Sequence, residues 1–312
     1  MEPLSSSEKS TSVRSAGVPA WVRVGMQGLE ALWPPLATRV AERMLLTPLQ
    51  HRRPARERVL LERSRPVQAV GPLGVLRGHA WGAGPPVLLV HGWAGRGTQL
   101  AAFAAPLVAA GHEVLAYDLP GHGGSDGERV SLLDFRDAVI AIGRQHGPLF
   151  AAIAHSMGGA AAALAAADGL RVERLVLVAS PASLREQTRR FAATLGLSDD
   201  VYARVTARLE ARLGATMESI EIETIAARIA ADTLVVHDAG DDEVDPAHAD
   251  RIARALPRAR VHATYGLGHN KVLRDPGVVG VVAEFITGRP PIALDLDALL
   301  ERELFDRDAR GA

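Results

Sequence analysis

The sequence predicts an α/β layered fold built on a mostly parallel sheet, and three observations carry that prediction. Short apolar runs at 87–90, 114–117, 150–154, 175–179 and 234–237 are nearly continuous, the pattern of strands buried on both faces. Helical candidates at 98–110, 131–146 and 157–168 stand between them, so strand alternates with helix. After one long interruption the alternation resumes, with a helix at 246–256, a strand at 260–263 and a helix at 277–286. Parallel strands joined in this way need right-handed crossovers, which leave helices on both faces of the sheet.

The elements outside that core are read in chain order. Residues 1–20 are polar and Ser-rich, without the apolar stretch of a secretory leader. Residues 21–46 carry apolar side chains at helical spacing, interrupted by Pro34-Pro35. Two readings apply to 18–46. One is a pair of helices packed on the domain; the other is a helix lying on a membrane surface. The short, proline-broken stripe favours the first. Residues 182–231 are helical, charged and about twice as long as an ordinary crossover, so they read as an insertion over the carboxyl end of the sheet. The expected organisation is a disordered start and helical segment over 1–66, a catalytic domain over 67–287 with a lid at 182–231, and a tail at 288–312 ending as a docked helix.

Composition removes several chemistries. The 312 residues include no cysteine, which excludes a disulfide framework, Cys-ligated zinc, an iron–sulfur cluster and a thiol nucleophile. The 35 basic and 36 acidic residues leave a formal charge of −1, without the basic surplus of a nucleic-acid binder. No apolar run approaches the ~18 residues of a membrane-spanning helix. A cytoplasmic chain with no nucleic-acid partner is expected. The glycine patterns at 92–97 and 121–124 complete neither a phosphate loop nor a dinucleotide fingerprint, so no cofactor is expected.

One pentapeptide carries the chemistry. Ala154-His155-Ser156-Met157-Gly158 follows an apolar strand and opens an Ala-rich helix. That is the setting of the G-x-S-x-G elbow, in which a sharp strand-to-helix turn lifts a serine hydroxyl above the sheet. Small residues two places either side let strand and helix approach, and Ala154 stands where the pattern has glycine.

At this point the chain resembles the α/β-hydrolase superfamily, over roughly 67–286. The Ala-x-Ser-x-Gly form is similar to that of some bacterial lipases. Three further segments support the resemblance in the expected order: His91-Gly92-Trp93 after the strand at 87–90, Tyr117 through Ser125 after the next strand, and Gly266-Leu267-Gly268-His269 near the end. The resemblance implies an α/β-hydrolase fold and a serine nucleophile.

A serine hydroxyl needs a base, and histidine titrates in the right range. Of eleven histidines, His269 matches the family's catalytic loop. His262 falls within a strand, His248 on a helix read as surface, and His155 beside the serine but turned sideways. The base in turn needs an acid to hold its tautomer. The segment His237-Asp238-Ala239-Gly240-Asp241-Asp242-Glu243-Val244 resembles the family's acid turn, with Asp241 in the matching place and Asp242 the neighbouring alternative. Asp238 replaces the usual glycine there. The backbone amides of Met157 and Trp93 are the expected oxyanion donors, the first at a helix start where amides are free.

The expected activity is hydrolysis of a carboxylic ester on a small acyl substrate through an acyl-enzyme. The same residues also serve thioesterases, amidases, peptidases and acyltransferases, and a non-catalytic binding protein on this fold is a further alternative. A serine in the nucleophile place speaks against the carboxylate-based members of the superfamily.

Overall fold

The computed structural model describes residues 18–51 and 53–289. Most of the expected disordered start (residues 1–17 of 1–20) and of the expected tail (290–312 of 288–312) lies outside the described residues.

Eight strands form one sheet. They are β1 Arg65–Gly71, β2 Gly74–Trp81, β3 Pro86–Val90, β4 Glu113–Tyr117, β5 Leu149–His155, β6 Val172–Val178, β7 Asp232–Asp238 and β8 Ala259–Thr264, in the order β1-β2-β4-β3-β5-β6-β7-β8. From β4 to β8 all pairings are parallel; β2 runs antiparallel to both β1 and β4. The antiparallel hairpin at the edge is absent from the sequence-based strand assignment. It presents one face to solvent, with Pro66, Gln68 and Val70 exposed, so its apolar run is interrupted.

The helices follow in chain order. Ahead of the sheet lie α1 Ala20–Leu32, α2 Pro34–Leu46 and α3 Ala55–Leu61. The crossovers hold α4 Ala104–Ala109, preceded by a 3₁₀ turn, then α5 Leu132–His146 and α6 Met157–Ala167. The insertion holds α7 Leu184–Leu195, α8 Asp199–Leu213 and α9 Ile222–Ile225. The last are α10 Ala247–Ala255, α11 Gly268–Lys271 and α12 Pro276–Thr287. Their starts are written locally. Ser131 and Asp134 cap α5 reciprocally, Ser183 and Ser198 cap α7 and α8, and Pro34 and Pro276 occupy first-turn positions where no amide is needed.

The two-residue period of the strands divides the core between the faces of the sheet. Leu88, Val90, Leu115, Tyr117, Ala152 and Ala154 point to the side of α5 and α6. Val87, Leu89, Val114, Ala116, Ala151 and Ile153 point to the side of α4 and α12. Nearly all are fully buried, which explains the unbroken apolar runs read from the sequence.

A third apolar cluster sits apart. Met26, Ala37, Ala41 and Leu46 of α1 and α2 pack against Leu195, Val201, Val205 and Leu209 of α7 and α8. Polar ties reinforce the contact: the Glu30 carboxylate accepts the Ser198 amide at 3.2 Å, and Arg208 Nε donates to Glu42 at 2.5 Å. The segment ahead of the sheet therefore docks on the insertion. The Glu57 carboxylate of α3 instead takes Arg96 Nε at 2.6 Å and Thr98 Oγ1 at 2.7 Å, pinning the loop after β3.

Candidate active site

Ser156 closes β5 and opens α6 with φ 53° and ψ −129°. For a residue with a side chain this is a sparsely populated conformation, costing on the order of 1–3 kcal/mol. The surroundings enforce it. The Ser156 amide stays in the sheet by donating to the Val178 carbonyl at 2.9 Å, while Gly159 already donates back to the Ser156 carbonyl at 2.8 Å. The chain must therefore turn from strand to helix within one residue. A Cβ on Gly158 would lie 2.2 Å from the His91 carbonyl oxygen, and one on Gly92 would lie 2.8 Å from Ser156 Cβ. Both glycines are thus required by close approach. Ala154, buried in the strand with an ordinary backbone, keeps its methyl group without conflict.

Among the described residues, only Ala94, Ser156 and Ala179 combine a side chain with positive φ. They follow β3, β5 and β6, three neighbouring strands, so backbone strain gathers at the carboxyl end of the sheet centre.

His269 sits on α11, in the loop after β8, and is buried. Its Nδ1 lies 2.8 Å from Asp241 Oδ2. Asp241 is buried at the end of β7. Its Oδ1 accepts the amides of Glu243 and Val244 at 2.8 and 2.9 Å, and its Oδ2 also faces His237 Nε2 at 3.3 Å. Burial pushes this carboxyl up, but the hydrogen bonds from His237 and His269 outweigh it and hold it well below the usual carboxylate range. The neighbouring Asp242 is exposed, and its backbone carbonyl accepts from Arg190. Of the two aspartates, Asp241 carries the carboxylate on His269.

His155 connects the two halves of the site. Its Nε2 meets the His269 carbonyl at 3.0 Å, and the two rings stand 4.6 Å apart. Burial first, then the neighbouring His269, lowers its pKa to about 3. It is a neutral donor that fixes the His269 loop beside the serine.

The loop after β3 completes the arrangement. His91 is buried, with Nδ1 on the Gly92 carbonyl at 2.7 Å and Nε2 accepting the Leu119 amide at 2.9 Å. The Trp93 ring packs on His122 and Phe135, with centroids at 5.5 and 6.3 Å. The amides of Trp93 and Met157 have no protein acceptor among the described residues, and the Met157 amide lies in the first turn of α6.

Several residues act here that the sequence reading passed over. Asp238 binds the Gly240 amide at 2.9 Å, the Thr264 hydroxyl at 2.8 Å and the Leu267 amide at 3.0 Å, so it splices the acid turn to the histidine loop. Its departure from glycine was visible, but its partners lie 26 and 29 residues away. Glu243 Oε2 lies 3.8 Å from His269 Nε2, with Asn270 Nδ2 donating to its other oxygen at 3.1 Å. His248, read as a surface residue, is buried, and its Nδ1 accepts the Ala182 amide at 3.2 Å. A groove of ≈ 790 Å³ between β8 and α12, lined by Arg174, Arg260 and Phe285 among others, includes none of these residues.

The comparisons with known proteins bear on this arrangement. A family model described as the alpha/beta hydrolase family matches residues 87–280. Among solved structures, the esterase RhEst1 from Rhodococcus sp. ECU1013 is 21% identical, with 71% of this chain and 98% of that one covered and a TM-score of 0.57. A membrane phospholipase A is 19% identical, with 86% and 96% covered and a TM-score of 0.58. The thioesterase domain from the curacin biosynthetic pathway is 19% identical, with 72% and 98% covered and a TM-score of 0.54. At these identities the likeness is one of fold. No curated protein matches the sequence.

Proposed function

Since this chain belongs to the alpha/beta hydrolase family, we propose that it is a serine hydrolase that cleaves carboxylic esters through an acyl-enzyme. The observation that carries the reading is the strained backbone of Ser156, held at φ 53° next to a histidine loop whose ring is bound to a buried aspartate. A strained residue persists only where the surroundings over-determine it, and such residues gather at reactive sites.

In this mechanism the Ser156 hydroxyl attacks the ester carbonyl while His269 Nε2 takes its proton. Asp241 keeps the His269 proton on Nδ1 in the resting state and stabilises the imidazolium that forms. The amides of Trp93 and Met157 bind the oxygen that becomes negative, each worth about 3 kcal/mol of transition-state stabilisation. His269 then protonates the leaving alcohol. Water, deprotonated by the same base, hydrolyses the acyl-enzyme. The insertion at 182–231 acts as a lid that sets the size of the acyl group.

The test is a panel of p-nitrophenyl esters of graded acyl length, run with wild type and Ser156→Ala. Loss of about 10⁶ in kcat is expected for the variant. Undiminished turnover in folded Ser156→Ala protein sinks the mechanism.

A further inference from the structure

Helix α1 is apolar on two sides, and the fold uses only one of them. Val22, Met26 and Leu29, at i, i+4 and i+7, turn into the cluster shared with α7 and α8. Trp21, Val24, Gly25, Gly28, Ala31 and Leu32, also at helical spacing, are all exposed. Trp21 is 76% and Leu32 87% accessible, and nothing lies within 4 Å of where a Cβ on Gly25 or Gly28 would stand. Trp33, immediately after α1, and Leu49, just past α2, are also exposed, at 60% and 72%. Among the described residues nine large apolar side chains are exposed, and five of them fall between positions 21 and 49. Scattered exposed apolar residues need no explanation, but a concentration like this marks a contact surface.

Charge identifies the contact. The acids of these two helices are turned inward: Glu30 binds the Ser198 amide and Glu42 binds Arg208. Arg23, Arg39 and Arg43 remain exposed, and no acidic partner faces them among the described residues. The result is an apolar ridge carrying two tryptophans on a helix pair whose exposed Arg39 and Arg43 have no counter-ion among the described residues, while the stem of Arg23 lies against Gly196 of the insertion. Tryptophan is at home at the lipid headgroup level, and arginine stems extend along apolar surface while the guanidinium reaches phosphate. We propose that α1 lies in the interface of an anionic phospholipid bilayer, with Trp21, Leu32 and Trp33 inserted and Arg39 and Arg43 on the headgroups. Because α1 and α2 are packed on the insertion, such docking holds the carboxyl end of the sheet at a fixed attitude to the lipid.

The experiment is co-sedimentation of the full chain with vesicles of phosphatidylcholine alone and of phosphatidylcholine with phosphatidylglycerol. Ser156→Ala protein is used, so that binding is read independently of whether the enzyme reading is right. Binding to the anionic vesicles is expected, falling as salt is raised. Replacing Arg39 and Arg43 by Gln should weaken partition about fivefold for each residue that sits near the surface. A triple variant, Trp21→Ser, Leu32→Ser and Trp33→Ser, should lose partition while keeping its thermal melt, since all three side chains are exposed. Blue-shifted tryptophan emission on vesicles, quenched by lipids labelled near the headgroup, is the second expected result. No partition of wild type, or equal partition of the triple variant, overturns the proposal. So does a dimer in sedimentation velocity that the triple variant abolishes, because a second copy would then cover the ridge.

Discussion

The Ala94 amide donates to His122 Nε2 across 3.0 Å, tying the loop after β3 to the loop after β4. His122 Nδ1 sits 2.8 Å from the Pro120 carbonyl, so the ring is neutral with its proton on Nδ1. Ala94 follows Trp93, whose amide is assigned to the oxyanion. His122→Leu should therefore lower kcat on a p-nitrophenyl ester about ten- to hundredfold with little change in KM, a partial version of losing one donor. Unchanged kcat would separate the loop from catalysis.

The two adjacent aspartates should respond very differently. Asp241→Asn leaves His269 without its carboxylate and should cost about 10⁴ in kcat. Asp242→Asn alters an exposed side chain and should stay within about twofold. The reverse ranking, measured in one steady-state series, would reassign the acid.

Stability should fall with acid starting near neutrality. His91 and His122 are pushed below the ordinary histidine value chiefly by burial, and His155 to about 3 by burial and then by His269. Folded, they stay neutral; unfolded, they take up protons near pH 6.5, so the unfolded state binds more protons below that point. Each contributes a loss of up to about 1.4 kcal/mol per pH unit until its own folded pKa is reached, about 3 for His155. Asp241, held low, adds to the loss below about pH 4. Calorimetry should show Tm level above pH 7 and falling from about 6.5. A Tm that is constant down to pH 5 contradicts the neutral, buried assignment.

Two glycines offer opposite outcomes for the same substitution. Gly158→Ala places a methyl group 2.2 Å from a backbone carbonyl that cannot yield, and should destabilise by about 1–3 kcal/mol. Gly28→Ala adds a methyl group to an exposed helix position with open space around it, and should stabilise by about 0.5–1 kcal/mol. Thermal melts of the pair, with wild type between them, provide the check.

The parts of this molecule legible in sequence are those encoded by neighbours. The strands β3 to β7 announce themselves because their carboxyl-side halves are buried on both faces, β8 because it resumes the alternation after the insertion, and the elbow because strand, serine and glycine follow within ten residues. The acid turn is legible because the end of β7 and the turn after it, His237 through Val244, form one contiguous segment, and the structure has Asp241 rather than Asp242 on His269. The rest depends on contacts that no local pattern records. Asp238 reaches Thr264, His248 is covered by Ala182, and Glu243 stands over His269 only once β7 and β8 are side by side. The hairpin β1–β2 escaped for the opposite reason, since its solvent-facing side dilutes the apolar signal.

The docking of α1 and α2 on α7 and α8 has a consequence in time. The Glu30–Ser198 contact spans 168 residues and the Glu42–Arg208 contact 166. At ribosomal speeds of about 5–20 residues per second, α1 and α2 are made roughly 8–34 s before these partners. Throughout that interval Met26 and Leu46 have only the α1–α2 pair itself to pack in, without the α7 and α8 side of their cluster. The nascent chain thus makes α1 and α2 well before the surface that covers them. That order favours chaperone contact with α1 and α2 until α7 and α8 have been made.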